Sequence, residues 1–222
     1  METYYHEREL PFNDREAAQI AADGVTRILI GSMDGAGKST LSCSLYLHLA
    51  GRGTDVSLHE IDPWSDTHDP ILGRKSWSQR QKRTNVSLEL YGQYVDRFAS
   101  DTSQIVLGDM QGRAQNPYNQ LLSGVADYGI LVSREQTVKD QTVLYPQYEY
   151  DWERLYADTL RTPVAARVRS VLPNQIAPPG CLPIDGLERQ PAPDHPQIAR
   201  LGAMVLELAH NTELTNAESR AR

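Results

Sequence analysis

Between Gly31 and Thr40 the chain reads Gly-Ser-Met-Asp-Gly-Ala-Gly-Lys-Ser-Thr, residue types that at this spacing can hold a chain of phosphates. Gly35 and Gly37 permit backbone angles that curl successive amides inward into an anion nest. The helix expected to follow adds the positive end of its dipole. Lys38 supplies a point charge for β- and γ-phosphates, Ser39 a hydroxyl for Mg2+, and Thr40 sits one step further on, near an α-phosphate. Asp34, Gly35, Ala36, Gly37, Lys38, Ser39 and Thr40 are therefore the candidate nucleotide-binding residues. The pattern G-x-x-x-x-G-K-[ST] asks for glycine at position 32, where this chain has Ser32 and carries its glycine one place earlier.

Two carboxylates stand at the ends of apolar runs that read as strands. Asp109 closes Ile-Val-Leu-Gly and is a candidate for Mg2+, beside Ser39. Asp109-Met-Gln-Gly112 also reads as D-x-x-G, a nucleotide-sensing turn, with Gln111 the nearby residue that could order a water. Asp62, before Pro63, is a candidate general base, with Glu60 two residues earlier on the same strand face. Arg74, Lys75, Arg80, Lys82 and Arg83 form a basic stripe near Trp64 and Trp77 that could clamp an anionic or planar group. Arg113 and Arg134 are further candidates, the first for substrate contact and the second for charge over a transferring group. The histidines show no ligand spacing, which speaks against a zinc site.

Strands are expected at residues 25–31, 54–62, 104–109, 128–133 and 181–187. Helices are expected at 41–50, 86–98, 117–125, 150–172 (broken near Pro163) and 196–210, with 135–149 a loop and 211–222 a polar tail. Strands alternating with helices predict an α/β fold, a doubly wound parallel five-stranded sheet flanked by helices, with its active loops at the carboxyl ends of the strands. One domain over 1–210 is expected, with a lid or substrate region within 135–172.

Twenty-two Lys+Arg against 29 Asp+Glu give a net charge of −7, which argues against bulk electrostatic binding of nucleic acid. Two cysteines make neither a disulfide framework nor a CxxC metal site. With no signal-like N-terminus and no apolar run near 20 residues, a cytoplasmic chain without a membrane partner is expected.

Met33-Asp-Gly-Ala-Gly-Lys-Ser-Thr40 resembles the phosphate loop of the P-loop kinases, thymidylate kinases and related nucleoside and nucleotide kinases in particular. Asp62-Pro63 is similar to their acidic-Pro pair, and Asp109, Arg113 and Tyr118-Asn-Gln120 to their Asp-Arg turn and downstream Tyr-Gln, so that the likeness spans residues 25–134. Met110 stands where those kinases have arginine. The resemblance implies a P-loop NTPase fold, ATP and Mg2+ as cofactors, and phosphoryl transfer to a small-molecule acceptor such as a nucleoside or nucleotide, with a homodimer left open. Lys38, Asp62, Arg113 and Arg134 are then the expected catalytic set. The alternative is a nucleotide-hydrolysing ATPase or GTPase switch. Against guanine, Ser133-Arg-Glu-Gln136 stands where an Asn-Lys-x-Asp or Thr-Lys-x-Asp motif would follow the fourth strand. A nucleotide-binding module without catalysis is the third reading.

Overall fold

A computed structural model describes residues 24–220 except 82, 135, 139–140, 144–145, 172–178, 186 and 188–189, and the side chains of 135–148 and 216–220 are likewise outside the description. Six strands form one parallel sheet: β1 (Thr26–Ser32), β2 (Val56–Ile61), β3 (Ile105–Met110), β4 (Tyr128–Arg134), β7 (Val164–Val171) and β8 (Leu182–Asp185). Their order is β2-β3-β1-β4-β7-β8. A separate antiparallel pair, β5 (Gln136–Val138) and β6 (Gln141–Val143), follows β4. The longer helices are α1 (Lys38–Gly51), α3 (Leu88–Ser100), α4 (Pro146–Arg154) and α5 (Pro196–Arg220), and α2 (His68–Ile71) is a single turn.

Alternation along the strands divides the core between the two faces of the sheet. Ile28 and Ile30 of β1, Ile105 and Leu107 of β3, and Ile130 and Val132 of β4 point to one side, where Leu41, Leu45 and Leu49 of α1 and Ile198, Leu201 and Val205 of α5 cover them. Leu29, Val106 and Leu131 point to the other, under Tyr91, Val95 and Phe98 of α3 and under Trp152, Leu155 and Tyr156. Ser87 caps α3 by accepting from the Leu90 amide at 3.1 Å. No helix among the described residues is long and apolar enough to cross a membrane.

Three expectations are corrected. The sheet has six strands among the described residues, because 164–171, expected to continue a helix, is β7. Most of the expected loop at 135–149 is the antiparallel β5–β6 pair and the start of α4, which takes Pro146 at its first turn, where a missing N–H costs nothing. The last helix does not close at 210 but runs to Arg220.

β1 lies between β3 and β4; the chain runs from β1 out to β2 on one side, and after β3 crosses to β4 on the other. A crevice therefore opens beyond the carboxyl end of β1, where doubly wound folds bind ligands. The loop at 33–37 crosses it.

Candidate functional site

The loop after β1 turns on two left-handed glycines, Gly35 at φ 79° and Gly37 at φ 86°. Ser32 needs no such angle: it is a buried strand residue outside the left-handed region, and its hydroxyl donates to the Met33 carbonyl at 3.0 Å. Gly31 is demanded by packing instead, since a Cβ there would stand 2.6 Å from the Tyr156 hydroxyl and 2.7 Å from the Trp152 ring. Gly37 ends the loop, and no side chain caps α1 behind it, so the first amides of the helix are left for an anion.

Lys38, the first residue of α1, is buried, and its ammonium pairs with Asp109 Oδ1 at the end of β3. The other carboxylate oxygen, Oδ2, accepts from His68 Nε2 at 2.8 Å. Burial raises the Asp109 carboxyl, but the Lys38 charge and the His68 hydrogen bond outweigh it and bring it down to about 2, so Asp109 is an anion at neutral pH. His68 was the residue that linear spacing could not reveal, being 41 positions from Asp109 and ordered by a one-turn helix.

Asp62 follows β2 and faces the same cavity. Burial pushes its carboxyl up to about 6, with Lys38 opposing and Asp109 and Glu60 adding to the rise. Its Oδ1 accepts from the Trp64 amide at 3.1 Å, which holds the turn after β2. Glu60 is engaged elsewhere, accepting from the Thr67 amide at 2.8 Å and from the Thr67 hydroxyl at 2.5 Å.

The cavity over the loop measures about 970 Å3 and is walled by Lys38, Ser39, Asp62, Arg80, Arg134 and Leu187. A second cavity of about 470 Å3 adjoins it, sharing Asp34, Asp62 and Arg80 and adding Arg113. Arg134 donates to the Gly35 carbonyl at 3.2 Å, while Arg113 is exposed on the rim. Ala36 is wholly buried in the core, Thr40 is buried in α1, and Asp34 and Gly35 are exposed on the crest of the loop.

The basic stripe is largely neutralised within its own segment. Lys75 pairs with Asp66 and, at 3.5 Å, with Asp69, and Arg74 lies 3.7 Å from Asp69. Arg80 alone of the stripe's described residues lines both cavities, donating to Ser65 Oγ at 3.1 Å while its buried Nε has no partner. Lys82 lies outside the described residues. Gln111 is not free to order a water: its amide nitrogen donates to the Arg113 carbonyl and, at 3.2 Å, to Asn119, and its oxygen accepts from the Arg113 amide at 2.9 Å. Within the expected lid, Arg154, Arg167 and Arg169 pair with Asp158, Glu153 and Glu149, and none of them lines the loop cavity. Lys139 is outside the described residues.

The donor set fits a hard divalent cation better than a soft one. No group of three or more His, Cys, Asp or Glu among the described residues could hold a metal. A single hydroxyl and a single carboxylate, Ser39 and Asp109, suit Mg2+, which takes its remaining ligands from water and phosphate.

No protein-family model matches the sequence, and no curated protein matches it. Solved structures do. A nucleotide-binding protein of Archaeoglobus fulgidus, in complex with ADP, matches with a TM-score of 0.50 at 15% identity, over 87% of this chain and 91% of that one. FlhF complexed with GMPPNP and Mg2+ gives 0.47 at 14% identity, over 85% and 81%. The signal recognition particle receptor FtsY of Elizabethkingia anophelis gives 0.44 at 16% identity over 71% of this chain, which spans only 56% of the FtsY chain. The expectation of a small-molecule kinase is corrected: the matching structures named here are a nucleotide-binding protein, FlhF and a signal recognition particle receptor, and none of these is a small-molecule kinase. Six parallel strands, helices on both faces and a glycine-rich loop from β1 into α1 give this chain the P-loop NTPase fold.

Proposed function

We propose that this chain binds ATP with Mg2+ and hydrolyses it, acting as a nucleotide-dependent switch on a protein partner. The observation that carries the reading is the buried Lys38–Asp109 pair at the root of an open glycine loop, with an ionisable Asp62 across the same cavity. The uncapped amides of α1 and the Lys38 ammonium hold phosphate oxygens. Ser39 and Asp109 would hold Mg2+, which would supply positive charge against the phosphates. Asp62, desolvated but ionised above about pH 6, accepts the proton of an attacking water. Arg80 and Arg134 set cations at the cavity wall for the charge that develops on the transferred group. Adenine rather than guanine is favoured by Ser133-Arg-Glu-Gln136 at the end of β4, where no Asn-Lys-x-Asp or Thr-Lys-x-Asp motif stands. A protein partner is favoured by Trp77, which is 38% exposed at the rim of the cavity.

Calorimetric titration with ATP and GTP in Mg2+, on the wild type and Lys38→Ala, tests the reading. Saturable ATP binding that Lys38→Ala weakens at least about a hundredfold supports it, a loss of the size expected for a charge-assisted contact. Equal affinity of the two proteins would refute it.

A further inference from the structure

Asp109 has two oxygens, and both are taken from inside the protein. Lys38 holds Oδ1 and His68 holds Oδ2 at 2.8 Å, and all three side chains are at least nine-tenths buried. Nε2 of His68 donates to Oδ2 of the carboxylate, whose Oδ1 already faces the Lys38 ammonium. A histidine set against a candidate metal carboxylate fixes the plane of that carboxylate and so the direction of its lone pairs.

His68 is also the fixed point of a longer segment. Immediately before it, Thr67 is pinned to Glu60 at the end of β2 through both its amide and its hydroxyl. Asp66 then gathers the far end of the segment by accepting from Lys75 and, at 2.9 Å, from the Gln81 amide. Arg80, beside Gln81, reaches back to Ser65 and lines both cavities, and Trp77 lines the larger one. Two carboxylates and one imidazole therefore tie residues 62–81 into one unit, and His68 bonds that unit to Asp109 at the end of β3.

We propose that His68 is a positioning residue: it orients Asp109 for the metal and links the state of that carboxylate to the segment carrying Trp77 and Arg80. The inference rests on the ATP–Mg2+ reading of the same site. His68 does not line the loop cavity and acts through Asp109.

The experiment compares wild type, His68→Ala and His68→Gln, whose side-chain amide can still donate to Asp109. Each is titrated by calorimetry with ATP in EDTA and with ATP in Mg2+, and tryptophan emission is recorded as Mg2+ is added to the ATP complex. ATP alone is expected to bind all three alike. The gain in affinity that Mg2+ brings is expected to fall about tenfold in His68→Ala and to be largely restored in His68→Gln, the scale seen when a partner of a metal ligand is removed. The emission change on adding Mg2+ is expected in wild type and His68→Gln and lost in His68→Ala. An unchanged Mg2+ gain in His68→Ala, or an equal loss for ATP alone, would overturn the proposal, as would His68→Gln behaving like His68→Ala. Should His68→Ala not fold, His68→Asn, too short to span the contact, takes its place with the same expectations. Wild type failing to bind ATP at all would instead remove the nucleotide reading beneath it.

Discussion

Lys38 and Asp109, 71 positions apart, form an ion pair in which the lysine side chain is 9% exposed and the carboxylate 1%. The pair joins the start of α1 to the end of β3, the neighbour of β1 in the sheet, and the register that brings Ile30 opposite Asp109 makes the contact short. Removing either member alone strands a buried charge. Asp109→Asn is expected to cost about 3–5 kcal/mol of stability in urea denaturation, and Lys38→Met in the Asp109→Asn background to recover part of that loss, since it removes the stranded ammonium.

Asp62 gives the opposite sign. Its carboxyl is raised to about 6 in the folded protein from an ordinary value of 3.8, so between those values the folded state holds a proton that the unfolded state has released. Stability from this group is therefore present below about pH 4 and is lost as pH rises through 6. Asp62→Asn keeps an acceptor for the Trp64 amide and removes the desolvated charge. It is expected to raise the melting temperature at pH 7–8 by the equivalent of roughly 1–3 kcal/mol and to change it little near pH 4. The same variant is expected to slow hydrolysis at pH 7.5, so that stability and turnover move in opposite directions.

Gly37 combines a left-handed φ with a close wall: a Cβ would meet the Leu187 carbonyl oxygen at 2.9 Å. Gly37→Ala should shift the turn that starts α1 and with it the amides that face a phosphate. An affinity loss of at least about tenfold for ATP by calorimetry is expected, from about 1–2 kcal/mol of backbone strain.

Gly112, three residues past Asp109, packs against Asp34 of the same loop. A Cβ there would overlap the Asp34 carboxylate and come within 3.0 Å of the Asp34 amide. Gly112→Ala is expected to lower the melting temperature, and Asp34→Ala added to it to relieve the side-chain part of the clash only, leaving the double variant between the two.

Much of this was legible in the chain. The glycine loop, the apolar runs of β1, β3 and β4, and the acids that end β2 and β3 carry local signals: period-two alternation, positive-φ glycines, an acid closing an apolar run. β7 was not legible because its alternation is blurred. Ala166, Val168 and Ser170 are buried as a strand face should be, yet Arg169 between them is also buried, paired with Glu149 of α4. Read without that partner, Arg167 and Arg169 look like surface residues, and their i, i+2 spacing goes unread as the alternation of a strand. Ser32 misled in the other direction, since the expected glycine is needed here not for its angle but one place earlier, for the approach of Tyr156 and Trp152. The Asp109–His68 contact depends on how a segment folds back over the sheet, and no spacing encodes that.

The most direct measurement is phosphate release from ATP in Mg2+ with water as the only acceptor, on the wild type and Lys38→Ala. Steady release by the wild type, abolished in Lys38→Ala and absent in EDTA, is the expected result. Release that is equal in the two proteins, or none from a wild type that binds ATP, would contradict hydrolysis at this site.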